Sequence, residues 1–361
     1  MREHATAAVS SPRRRSYRWL IALAAGLGVL AFFSTSFGPT PIPPLAVLQI
    51  LGHQLSRGWL FPNSCGGYAS GDQCSAWVTI VWQIRLPAIL LAVVVGAALG
   101  ISGGTLQGVF RNPLADPFLL GISSGGTLGA VIVFLVYYGS PQVTILLPLF
   151  AFLGAIGTGL VILGIARTQA GSAETLLLAG VALSSLLSAL VAFLTVYNRE
   201  SSQQVYDWLL GSVAYATWPE LAIAFSVLTV ASLLLILHGR ELNLIQLGND
   251  VAQSAGVDPR AVRIRLILLA SVTTAVAVAF AGIIGFVGLI APHVIRRLVS
   301  VDYRVVLAGS LVVGAAILLV AWDIDLFVSE LPIGIFTAFA GVPFFLYILF
   351  RQSRRTTMGG L

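Results

Sequence analysis

Ten apolar runs divide this sequence, and most are about as long as a helix that crosses a bilayer. They lie near residues 19–37, 86–109, 118–138, 143–166, 174–197, 218–238, 264–282, 284–298, 305–322 and 331–350. About 20 helical residues span the hydrocarbon core. Backbone groups in lipid must be satisfied within the protein, so such runs fold as helices. The chain is 57% hydrophobic and 9% charged, whereas soluble domains carry about 25% charged residues. The expected fold class is all-α: a polytopic membrane protein with ten transmembrane helices. A cleaved signal peptide is the alternative for the first run, and Ser34, Thr35 and Ser36 are small enough to leave it open. The length of the run favours an uncleaved span. The eighth run is shorter than a full crossing, and almost no loop parts it from the seventh around residues 282–285.

All 20 basic residues are arginine. Without lysine the chain has no P-loop, which needs one for the nucleotide phosphates, and no Schiff-base chemistry. ATP, if used, is hydrolysed by another chain. With the N-terminus inside, Arg57, Arg85 and Arg199 fall outside and every other arginine inside, as the positive-inside rule expects. Residues 1–18 and 351–361 then form cytoplasmic tails around a ten-helix transmembrane domain at 19–350, and the loop 38–78 is external. This loop contains PTPIPP, allows a short helix over residues 45–55, and holds both cysteines. The spacing of Cys65 and Cys74 suits a local disulfide in an oxidising compartment better than a nucleophile. Arginines spread between apolar spans give no nucleic-acid surface.

Between the second and third runs lies RNPLADPFLLGISSGG, residues 111–126. Pro113 and Pro117 interrupt helix, so this is a polar hinge at a membrane surface. Gly121, Gly125, Gly126 and Gly129 follow at spacings that permit close helix packing. After the sixth run comes a polar stretch over residues 239–263. Leu244, Leu247, Val251 and Ala255 have helical spacing, and Gly248 and Gly256 allow turns between two short helices. Two such helices on the cytoplasmic face suit a partner's groove. A solvated loop is the plainer alternative. Spans two and seven, opening at Arg85 and Arg265, share a small-residue pattern, and their topology would make them cross in opposite directions. That suggests an inverted-repeat-like core, with chance similarity of Ala/Gly-rich helices as the alternative.

No catalytic constellation or metal-ligand cluster is visible, and no cofactor is expected. His293 stands alone beside Pro292, so a structural or phosphate-facing role fits it better than metal binding. Asp323, Asp325 and Glu330 fall at the external interface, where solvation is the simpler reading.

The stretch RNPLADPFLLGISSGG, with GIIGFVGLIAPHVIRR and LPIGIFTAFAGVPFFLYIL, resembles the FecCD-type membrane subunits of ABC importers for vitamin B12, ferric siderophores and haem. RLPAILL and ETLLLAGVALSSL are also similar, and the likeness is collinear from about residue 82 to 350. The resemblance implies a homodimer in the inner membrane. Its path would run between two copies, with two ATP-binding ABC subunits below and a solute-binding protein outside. It implies a cytoplasmic gate at Asn112 and Leu114, with a second constriction at Ser172 and Ala173. ATPase coupling would fall on Leu244, Leu247, Gly248, Val251 and Gly256. Arg85 would dock the binding protein, helped by Arg57, because Ala88 stands where cobalamin permeases carry a second arginine. Family members often have a small residue where Glu174 stands. The rival reading is a secondary transporter driven by an ion gradient, which would usually place ionisable residues mid-membrane; the span centres are nearly free of charge.

Overall fold

The apolar runs fold as helices, and the polar stretches between them add five more. The computed structural model describes residues 12–59, 61–167, 173–328 and 331–358, and every regular element among them is helical. In order these are α1 (Pro12–Ser36), α2 (Pro44–Ser56), α3 (Gly71–Val78), α4 (Leu86–Phe110), α5 (Ile122–Tyr137), α6 (Val143–Arg167), α7 (Ala173–Tyr197) and α8 (Ser202–Leu209). Then follow α9 (Trp218–Leu237), α10 (Gly239–Leu247), α11 (Asn249–Ser254), α12 (Pro259–Ala281), α13 (Val287–Leu298), α14 (Tyr303–Val328) and α15 (Ile333–Met358).

Each of the ten expected spans has its helix. Among the described residues seven helices are long and apolar enough to cross a membrane, and Ile122–Tyr137 and Ile333–Ile348 are shorter apolar helices. At 12 residues α13 is about 18 Å long, too short to cross by itself, as its sequence suggests. The unclear boundary before it is an extended linker: α12 ends at Ala281, and Phe286 takes φ +67° to start α13.

The loop 38–78 is more ordered than a plain polar interruption. Its first helix, α2, covers the stretch where a short helix was allowed. The second, α3, runs through a π-helical turn at Thr79–Arg85 straight into α4, giving a continuous 40-residue helix over Gly71–Phe110. Polar residues scattered through 71–85 hide this continuity from the sequence. Ile42, Val47, Ile50, Cys65, Trp77 and Val81 bury one another as a separate small core, and Cys65 is disulfide-bonded to Cys74 with Cα atoms 5.9 Å apart.

The centre of the molecule is α4, which packs on α12, α13 and most extensively on α14. Small residues make this possible. A Cβ on Gly96 would overlap the carbonyl oxygen of Gly314, one on Gly100 that of Ser310, and one on Gly103 that of Gly288. Lipid gives helices no hydrophobic reason to associate, so close backbone approach supplies the dispersion contacts instead. The same device joins α5 to α6, where Gly125 meets Gly154 and Gly129 meets Phe150.

Asp323 departs from the solvated reading. It is half-buried between α1 and α14, where Ser34 Oγ donates to its Oδ2 at 2.7 Å. Glu330 lies outside the described residues. His293 packs edge-on against Phe344 with ring centroids 5.4 Å apart, a structural placement. Among the described residues no group of three or more His, Cys, Asp or Glu could hold a metal ion.

Candidate gate and coupling face

The hinge after α4 is built from caps. Arg111 takes φ +51° and ends the helix. The Asn112 backbone N–H donates to Gln107 O at 3.2 Å, and Asn112 Oδ1 accepts from Leu114 N at 2.9 Å. Asp116 Oδ1 then accepts from Phe118 N at 2.8 Å, which starts a 3₁₀ turn at Pro117–Leu120 that Gly121 closes at φ +76°. Side-chain oxygens that bond the backbone two residues on are the usual means of fixing such turns. The hinge is therefore stiff through hydrogen bonds as well as through its prolines. Asn112 Oδ1 thus orients its side chain by a bond to the loop's own backbone. Leu114 is half-exposed.

Behind the hinge, Gln107 is buried. It donates from Nε2 to Gly288 O at 3.2 Å and accepts at Oε1 from Arg296 Nη2. Arg296 also bonds the Tyr303 side chain. This network ties α4, α13 and α14 together at the hinge end of α4. Asp116 is buried with its Oδ2 unpartnered. Burial raises its pKa to about 6, against the lowering effect of the Phe118 N–H. Neither Gln107 nor Asp116 stands out as a site residue in the sequence. The signal available was a buried-helix glutamine facing GLIAPH, and an Asp–Pro pair at a turn.

Residues 239–263 form two short helices and the first turn of α12, not a solvated loop. Leu242 and Ile245 are buried, and they anchor α10 in a core shared with Leu106 and Phe110. Leu244 is partly buried against that core. Leu247 and Val251 point outward, 70% and 46% exposed. Gly248 takes φ +136° between α10 and α11, and Gly256 takes φ +78° after α11, so both are required by the backbone. Thus Leu247 and Val251 could meet a partner, whereas Leu244 packs inward.

The two predicted docking arginines separate. Arg85 is buried, and its Nη1 and Nη2 donate to Thr35 O at 2.9 Å and Thr40 O at 2.6 Å. It fastens the α1–α2 connection to the helix entering α4. Buried and bonded to these two carbonyls, it does not present an exposed cation at the surface. Arg57, exposed at the end of α2, remains available. Of the second constriction, Ser172 lies outside the described residues and Ala173 is described only as the start of α7.

The model of the FecCD transport family matches residues 26–351. The chain belongs to the FecCD transport family. Among FecCD relatives, the hemin transport system permease protein HmuU of Yersinia pestis is 40% identical over 282 residues, covering 75% of this chain and 84% of that protein. The cobalamin import system permease protein BtuC of Halobacterium salinarum is 37% identical over 359 residues, covering 93% and 96%. A solved inward-facing metal-chelate type ABC transporter superposes with a TM-score of 0.78 at 30% identity, covering 92% of this chain and 99% of that one. This FecCD chain is accordingly a multi-pass membrane protein of the permease class. The hinge described above is part of its RNPLADP motif.

Proposed function

We propose that this chain is the membrane-spanning subunit of an ABC importer that moves a haem, a ferric siderophore or cobalamin across the inner membrane. The observation that carries the reading is the α10–α11 pair. It buries one face in the permease core and leaves Leu247 and Val251 exposed where a cytoplasmic ATPase would dock. In this reading the ATPase hydrolyses ATP and this chain performs no catalysis. Both termini lie in the cytoplasm in this reading, which the arginine distribution supports.

The translocation path lies between two copies. Supporting a homodimer, α7 leaves Leu178, Val181, Leu186 and Phe193 exposed and also presents Ser185 and Ser188, polar groups that suit a path better than lipid. Asn112 and Leu114 close the path on the cytoplasmic side, joined by Ser172 and Ala173. An external solute-binding protein docks on the 38–78 region, with Arg57 as a charged contact.

The test is uptake into proteoliposomes holding the permease, its ATPase and its binding protein. Labelled haem, ferric siderophore and cobalamin are compared with ATP and with an imposed proton or sodium gradient. One of the three should accumulate with ATP alone. Accumulation that follows the ion gradient without ATP would contradict the proposal.

A further inference from the structure

We propose that Arg111 is the tie through which the coupling helices move the gate hinge, with Asn249 as its receiving atom. The proposal rests on the coupling reading above and adds the residues that transmit the motion.

Arg111 occupies the junction of α4 and the hinge, one residue before Asn112. Its guanidinium does not cap its own helix. It reaches across to the coupling pair, donating to Ile245 O in the last turn of α10 and to Asn249 Oδ1 at 3.0 Å in α11. The connection also runs the other way, since Gln246 Nε2 of α10 donates to Gly108 O of α4 at 2.7 Å. Asn249 Oδ1 accepts a further bond from Arg263 Nη2 of α12 at 2.8 Å. One amide oxygen therefore holds two guanidinium groups, from helices on either side of α10–α11. Asn243 fixes the middle of α10, giving Nδ2 to Asp302 Oδ1 at 2.7 Å and accepting from Tyr303 N at 2.9 Å.

The consequence is geometric. Leu242 and Ile245 seat α10 in the core beside Phe110, and the polar bonds fix its register against the end of α4. A push on Leu247 or Val251 is thus delivered to Arg111 and, through the stiff turn that follows, to Asn112 and Leu114. Guanidinium bonds suit this task because the planar fork resists rotation as well as separation. Arg111 is a positioning residue: it touches neither cargo nor nucleotide in this arrangement.

The experiment uses the reconstituted permease–ATPase complex and reads cargo moved per ATP hydrolysed, with capture of the ATPase measured alongside. Arg111→Gln and Asn249→Leu should each lower cargo moved per ATP by roughly tenfold, within the usual range of coupling between sites, with the ATPase still captured. Asn249→Asp keeps an acceptor for both arginines and should couple at least as well as the parent. Asn249 is exposed on a short helix, so Asn249→Leu decides the matter even where Arg111→Gln fails to fold. Parental coupling in Asn249→Leu, or loss of coupling in Asn249→Asp, would overturn the tie. Leu247→Asp separates the two levels. If it abolishes ATPase capture while Asn249→Leu couples normally, the tie alone is wrong. If it too leaves capture and transport unchanged, the coupling reading fails with it.

Discussion

Gly96 on α4 and Gly314 on α14 lie backbone to backbone, so that a Cβ on either would overlap the other's carbonyl oxygen. Neither neighbour can yield, because each is main chain inside a helix. Gly96→Val or Gly314→Val should therefore force α4 and α14 apart, costing about 1–3 kcal/mol or more. The check is thermal unfolding in detergent, compared with Gly157→Ala, where a Cβ meets nothing within 4 Å. Equal melting temperatures for all three variants would contradict the packing account.

Asp116 gives a pH signature. Its folded pKa is raised to about 6 from an ordinary 3.8, so the folded state holds the proton more tightly than the unfolded chain. Its contribution to stability is fullest below the unfolded value and is lost as pH rises through about 6. Asp116→Asn can keep the Oδ1 bond to Phe118 without the charge. Above about pH 7 it should be more stable than the parent by roughly 2–3 kcal/mol, with the difference vanishing below about pH 4. Parallel stability curves across that window would show that the carboxylate is solvated.

The 38–78 domain should respond to reduction without loss of transport chemistry. Closing the loop between Cys65 and Cys74 is worth roughly 2–3 kcal/mol on the chain-entropy estimate. Reductant should make residues 57–75 more sensitive to protease and leave uptake intact. Two titratable thiols in protein prepared without reductant would contradict the pairing.

Arg85 and Arg57 should now behave differently. Arg85→Ala leaves the buried Thr35 carbonyl without its donor and frees the Thr40 carbonyl as well, so it should lower stability by about 1–3 kcal/mol. Arg57→Glu should leave stability unchanged and slow binding-protein association, most at low ionic strength, where charge steering is least screened. A salt-independent on-rate for Arg57→Glu would remove it from the docking face.

Much of this was legible in the sequence because lipid imposes a simple rule. Each apolar run had to be a helix, and the ten runs match ten helices. The hinge was legible too, since Pro113 and Pro117 cannot sit inside one. Partners across the fold were not legible. That Arg85 bonds Thr35 and Thr40, or that Gln107 meets Arg296, depends on separations of dozens to nearly two hundred residues that no local pattern records. Nor did spacing show that Leu244 turns inward while Leu247 turns out, because both lie on the same helical repeat. The continuity of α3 with α4 was hidden for a different reason: a π-helical turn shifts the face, so the apolar period breaks where the helix does not.

The claim at the centre is that the hinge after α4 closes the path on the cytoplasmic side. The most direct measurement is efflux from proteoliposomes preloaded with cargo, with and without nucleotide, for the parent and for Leu114→Ala. The account predicts that truncating Leu114 opens a leak that needs no ATP, while the parent stays closed until the ATPase turns over. A Leu114→Ala variant that folds, binds its ATPase and leaks no faster than the parent would contradict it.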